Sequence, residues 1–100
     1  MKYNKLVRDK IPDCIIKKGE PCKFHIATDD EYWEKLKEKL SEEVKEFCES
    51  ETIDEVADIQ EVIEAICKFK KFNTKTLKSV KNKKVKERGA FKKRIILEES

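Results

Sequence analysis

Five carboxylates hold most of the chemistry this chain can do. Glu42, Glu43 and Glu46 form one cluster, and Glu55 and Asp58 form a second. Within each cluster the acids stand one, three or four residues apart, so they share one side of a helix. Only residues 47–54 separate the clusters, and Ser50-Glu51-Thr52 reads as a turn. Two antiparallel helices joined there would bring at least four carboxylates together. Like charges in such a group repel unless a hard cation sits among them. An oxygen-only donor set suits Mg²⁺ first, with Mn²⁺ as a substitute. The four cysteines, Cys14, Cys22, Cys48 and Cys67, contain no C-x-x-C pair, and with the single His25 they suggest no zinc site.

Each acid also has a structural reading. Glu55 is the third residue of the capping-box pattern Thr52-x-x-Glu55, where the helix dipole favours negative charge. Glu42, Glu43 and Glu46 could line a solvated face, with Lys39 and Lys45 as local partners worth roughly 0.2–0.5 kcal/mol each. Asp58 is harder to explain. It lies beyond the first turn among Ile59, Val62 and Ile66, where an unpaired buried carboxylate is costly or becomes protonated. On a wheel of about 100° per residue, Glu43 lies ~60° from the centre of the apolar stripe, Glu46 ~120° and Glu42 ~160°. Glu43 is thus expected at the core border, and Glu42 as the most exposed of the five. Pattern alone leaves a metal site and interhelical salt bridging equally open.

The elements that would position these acids are helices. Thr28-x-x-Glu31 opens a long one, along which Trp33, Leu36, Leu40, Val44 and Phe47 recur at helical spacing. Thr52 opens a second, carrying Val56, Ile59, Val62, Ile63, Ile66, Cys67 and Phe69. That face is wider than one neighbour needs and predicts pairing into a dimer. Glu61 and Glu64 are expected on its opposite, polar side. Before these come a basic-apolar arm from Met1 and a short helix with Pro12 in its first turn and Gly19 past its end. After them, Asn73 or Thr74 caps a Lys-rich helix through Leu77, Val80 and Val85, which Gly89 ends. Residues 21–28 and 90–97 alternate like strands, and a small two-stranded sheet between them is an expected accessory.

Composition agrees with a mainly helical, all-α chain of one domain. Charged residues make up 45% and apolar ones 38% of 100 residues, with two Gly and two Pro. A chain of this length buries only a modest core, so self-association would help it. The net charge of +3 conceals an asymmetry. Residues 29–64 hold 15 acids and 4 bases, while residues 68–94 hold 13 bases and 1 acid. Such halves suit a metal-plus-phosphate site, self-neutralisation between helices, or nucleic-acid binding by the basic half. With no membrane-length apolar run and no secretory h-region, a cytoplasmic protein with reduced thiols is expected.

The pattern Glu-Glu-x-x-Glu followed by Glu-x-x-Asp resembles the MazG-like, all-α nucleoside triphosphate pyrophosphohydrolases. Relatives of that family include phosphoribosyl-ATP pyrophosphohydrolase and the dimeric dUTPases. The arm Tyr3-Asn4-Lys5-Leu6-Val7-Arg8-Asp9-Lys10-Ile11-Pro12 and the segment Glu87-Arg88-Gly89-Ala90-Phe91-Lys92-Lys93-Arg94-Ile95 are similar to a small single-domain branch of it. The resemblance spans nearly all of residues 1–100, and the gap from Glu46 to Glu55 is shorter than is usual in MazG proper. It implies an all-α helical bundle that cleaves a nucleoside triphosphate to the monophosphate and pyrophosphate. Glu43, Glu46, Glu55 and Asp58 would hold the metal. Glu42 and Glu43 would be the catalytic carboxylates, Glu42 as a further ligand or to orient water.

Cations must then meet the phosphates. Lys84 and Arg88, one helical turn apart, are the first candidates, and Lys5, Arg8 and Lys10 of the arm come next. Arg8 could instead pair with Asp9 to fix the arm. Trp33 and Phe91 could stack on a base, with core packing the competing role of Trp33. Two alternatives stand beside this reading: phosphoribosyl-ATP hydrolysis, and a non-catalytic helical module binding nucleic acid through residues 68–94. Sparse aromatics among those bases and the acidic half speak against nucleic acid.

Overall fold

The computed structural model describes residues 4–100, so Tyr3 of the arm motif lies outside the described residues. The chain is all-α, with α1 at Ile11–Lys17, α2 at Asp29–Ser50, α3 at Ile53–Lys70 and α4 at Thr74–Arg88. The start and stop signals act largely as expected. Pro12 sits in the first turn of α1, and Gly19 follows its end at φ 76°. Thr28 caps α2, its hydroxyl accepting from the Glu31 N–H at 3.3 Å. The Glu31 carboxylate does not return to close the box and meets His25 Nε2 at 2.9 Å instead. Asn73 caps α4, accepting from the N–H groups of Lys75 and Thr76 at 2.8 and 3.3 Å.

α2 and α3 form an antiparallel hairpin, the one extensive helix–helix interface among the described residues. Glu51 makes the turn in the left-handed conformation at φ 54°, and its N–H closes on the Phe47 carbonyl. Thr52 is the N-cap of α3, but its side chain makes no capping bond. The expected second capping box is therefore absent, and the Thr52 hydroxyl lies 3.4 Å from that of Ser50. Leu36, 1% exposed, and Val62 are the buried apolar side chains of the hairpin. At its open end Trp33 stacks on Phe69 with centroids 5.7 Å apart, and Tyr32 meets the same ring edge to face at 5.4 Å.

The expected two-stranded sheet does not form. Residues 21–28 and 90–97 are extended or turning, and no described residue is in a strand. Their apolar side chains find no cover: Ile26, Phe91 and Ile96 are all largely exposed. Arg94, at φ 57° with its N–H on the Phe91 carbonyl, turns the second segment out of line. A lone two-stranded ribbon with no face to bury is marginal in water. The chain is elongated, 56 × 31 × 23 Å, because α4 and the last twelve residues lie off the hairpin. Among the described residues no helix is long and apolar enough to cross a membrane.

Candidate metal centre

The hairpin joins the two acid clusters through Glu43, as two groups of three and not as one group of four. Glu43 projects from α2 toward Glu55 and Asp58 of α3, with one carboxylate oxygen from each lying within 4.8 Å of the others. Glu42, Glu43 and Glu46 form a second group along α2 within the same distance, so Glu43 belongs to both. It is also the most enclosed acid, only 5% exposed. Its Oε1 meets Lys39 Nζ at 3.1 Å, one turn back on α2. Its Oε2, and Oε2 of Glu55, are buried without any hydrogen-bond partner. Buried carboxylate oxygens normally have donors. Two acids of one carboxylate group, each with an orphaned oxygen, are an arrangement that an oxygen-coordinated divalent cation would complete.

The electrostatics carry the same signature. Glu46 is raised above its ordinary value, first because of the charge on Glu43 and then through burial. Glu55 is also pushed up, by burial first and then by the charges of Glu46, Asp58 and Glu43. Too much negative charge is held too closely. Glu42 is the exception. Burial pushes it upward, but hydrogen bonding and charge from Lys5 and Lys39 outweigh this and hold it below the ordinary value. Those lysines also shield it. Its side chain is 29% exposed against 36% for Asp58, so the expectation that Glu42 would be the most exposed of the five fails.

The arm crosses the mouth of this group. Lys5 Nζ donates to Glu42 Oε1 at 3.0 Å, and Arg8 Nη2 donates to Asp58 Oδ1 at 2.6 Å. Arg8 Nη1 also lies 3.7 Å from Glu61. The proposed Arg8–Asp9 pair is thus replaced by a pair across fifty residues of chain. The guanidinium is raised above its ordinary value, chiefly by that Asp58 hydrogen bond. Beneath the arm runs a cleft of about 1020 Å³, with Lys5 and Arg8 on one wall and Lys39, Glu43 and Asp58 on the other. Glu61 and Glu64 line it too, which corrects their expected place on the far side of α3. The wheel could not foresee this because the arm, not a helix, supplies the opposite wall.

The remaining expected residues stand elsewhere. Lys10 is exposed at the N-cap of α1, and Lys84 and Arg88 are exposed on α4; none lines the cleft. Phe91 is 97% exposed beyond α4. Trp33 does not line the cleft either; it backs Phe69, with Lys37 and Lys70 over its ring at 5.3 and 4.9 Å. Lys39 and Lys68 are cleft cations that the phosphate-binding set did not include. Their signal was available for Lys39, which stands four residues before Glu43 on the same face.

Comparison with known proteins adds little to this geometry. No family model matches the chain, and no solved structure matches it. An uncharacterized protein of Mycolicibacterium smegmatis is 45% identical over 49 residues, covering 49% of this chain. The chain spans about half the length of that relative, 50% of it being matched.

Proposed function

We propose that the chain is a metal-dependent nucleoside triphosphate pyrophosphohydrolase of the MazG-like kind, releasing the monophosphate and pyrophosphate. The observation that supports this best is the pair of orphaned oxygens on Glu43 and Glu55, set in a carboxylate group beside a cation-lined cleft. Glu43, Glu46, Glu55 and Asp58 are the proposed holders of Mg²⁺, with Mn²⁺ as an alternative. A bound divalent cation supplies charge neutralisation and polarises the phosphoanhydride.

The chain's own residues supply the rest. Lys5, Arg8 and Lys39, which line the cleft, offer positive charge to a polyphosphate. Lys5 and Lys39 hold the Glu42 carboxyl below its ordinary value, so it suits orienting water more than deprotonating it. The proposed setting is cytoplasmic nucleotide-pool cleaning by a homodimer or higher oligomer.

The test is pyrophosphate release from a panel of nucleoside triphosphates with Mg²⁺, run beside Asp58→Asn. The expected result is release by the native chain and a loss of about a hundredfold in the variant (about 2.7 kcal/mol). Release from no nucleotide, or an unaffected variant, sinks the reading. Mg²⁺-independent, salt-sensitive binding of DNA or RNA through exposed α4 would then favour the nucleic-acid module.

A further inference from the structure

The cleft has two chemically different ends, and their placement follows from one spacing. On α2, Tyr32, Leu36, Lys39 and Glu43 recur at i, i+4, i+7 and i+11. On α3, Asp58, Val62, Ala65 and Phe69 recur at the same intervals. Eleven residues make almost three whole turns, so each set forms a single stripe, about 16 Å long at 1.5 Å per residue. Because the helices are antiparallel, the stripes meet head to tail. Glu43 faces Asp58 at one end, and Tyr32 meets Phe69 at the other with ring centroids 5.4 Å apart. All eight side chains line the cleft. Its middle is apolar, formed by Leu36, Val62 and Ala65.

We propose that the aromatic end seats the nucleobase of the substrate, an inference that rests on the triphosphate-cleaving reading of the acidic end. A nucleoside triphosphate is a flat ring joined through a sugar to a polyanion. The cleft offers those partners in that order: rings at Tyr32 and Phe69, an apolar middle, then cations and carboxylates. Its volume, about 1020 Å³, is in the range of nucleotide-sized pockets. Phe69 is held from behind by Trp33, stacked within 9° of parallel and outside the cleft, so the aromatic wall is pre-set. Glu64 and Lys68, on the flank of α3 that lines the same cleft, give one acceptor and one donor for the polar edge of a ring. Stacking itself tolerates any base, and these two side chains are the proposed source of selection among bases.

The test uses Phe69→Leu and Tyr32→Leu, which keep apolar bulk but remove the ring. Each is expected to raise KM for the cleaved nucleoside triphosphate at least fivefold, the lower range of base–aromatic stacking, with the change falling on KM rather than kcat. Binding of inorganic tripolyphosphate, which has no base, is expected to change less than twofold. Tyr32→Phe, which keeps the ring, is expected to recover the native KM relative to Tyr32→Leu. Unchanged KM in both leucine variants overturns the subsite, as does equal weakening of tripolyphosphate.

A second readout separates this idea from the reaction itself. Trp33 is the chain's only tryptophan and stacks on Phe69, so its emission reports ring occupancy next door. Nucleoside monophosphates are expected to quench it in the metal-free chain, and inorganic phosphate is not. Quenching that survives intact in Phe69→Leu, or no quenching by any of the four common nucleoside monophosphates, overturns the subsite. Quenching without pyrophosphate release from any triphosphate would fail the hydrolase reading while leaving a base site in place.

Discussion

Glu43 concentrates the tension of the site in one side chain. It is shared by both carboxylate groups, almost fully enclosed, and only half satisfied by Lys39. Glu43→Gln removes the carboxylate shared by both groups, and with it the proposed ligand. The expected outcome is that Mg²⁺ stabilises the native chain, by about 2.7 kcal/mol at a hundredfold excess over Kd, and stabilises the variant far less. Thermal melts with and without Mg²⁺ measure this, and equal stabilisation of both chains counts against Glu43 as a ligand. The pH dependence follows from Glu46 and Glu55, both raised above the ordinary value of 4.5. A raised carboxyl binds more protons in the folded than in the unfolded chain, so its contribution favours folding below the folded-state pKa and is lost as pH rises from 4.5 through it. Glu42 has the opposite sign, its contribution being lost as pH falls below 4.5 through its lowered value. The metal-free Tm is therefore expected to fall as pH is raised above 4.5, and added Mg²⁺ to flatten that decline. A Tm that climbs steadily over this range without metal would contradict the assignment of repulsion to the cluster.

At the scale of elements, the hairpin was legible and the arm was not. The α2 and α3 stripes, the turn between them and the Asn73 cap all follow from local rules, and local rules sufficed because each acid is placed by its own helix. Arg8 differs: nothing within fifty residues indicates that its partner is Asp58, since that pairing depends on how a non-helical segment crosses the hairpin. The strand reading of residues 21–28 and 90–97 failed for a related reason. Alternation describes one strand, and whether it has a partner is a tertiary fact. The arm nevertheless has a consequence for metal binding. Arg8 and Lys5 are the counter-ions of Asp58 and Glu42 in the metal-free chain, so a cation must compete with them. Arg8→Ala is expected to tighten Mn²⁺ binding about twofold to fivefold, the scale of an exposed ion pair, while raising KM for a triphosphate. Calorimetric titration and steady-state kinetics separate the two effects. Weaker Mn²⁺ binding in the variant would mean that the arm supports the acids instead of competing for them.

At the scale of the whole molecule, the hairpin is too small to account for the fold. Only Leu36 and Val62 are buried apolar side chains among the described residues. The radius of gyration is 17.9 Å, whereas a compact chain of 100 residues has about 13 Å. Val44, Val56 and Ile63 on the hairpin and Leu77, Val80 and Val85 on α4 are each more than a third exposed. The wide apolar face of α3 and the weak stripe of α4 thus remain to be covered. The charge asymmetry bears on the proposed homodimer: residues 29–64 carry 15 acids against 4 bases, and residues 68–94 carry 13 bases against 1 acid. In the proposed homodimer, a second copy would offer each face its complement, apolar against apolar and basic against acidic. Sedimentation equilibrium is expected to give at least twice 11.8 kDa, and Tm to rise with protein concentration. Ile63→Lys places a charge at the proposed seam without touching the acids. It is expected to return the mass toward 11.8 kDa and to lower Tm, while leaving the monomer's helical circular dichroism largely intact at low temperature. A native chain that sediments as a monomer at every concentration would show that these faces stay bare, and that α2 and α3 alone hold the molecule together.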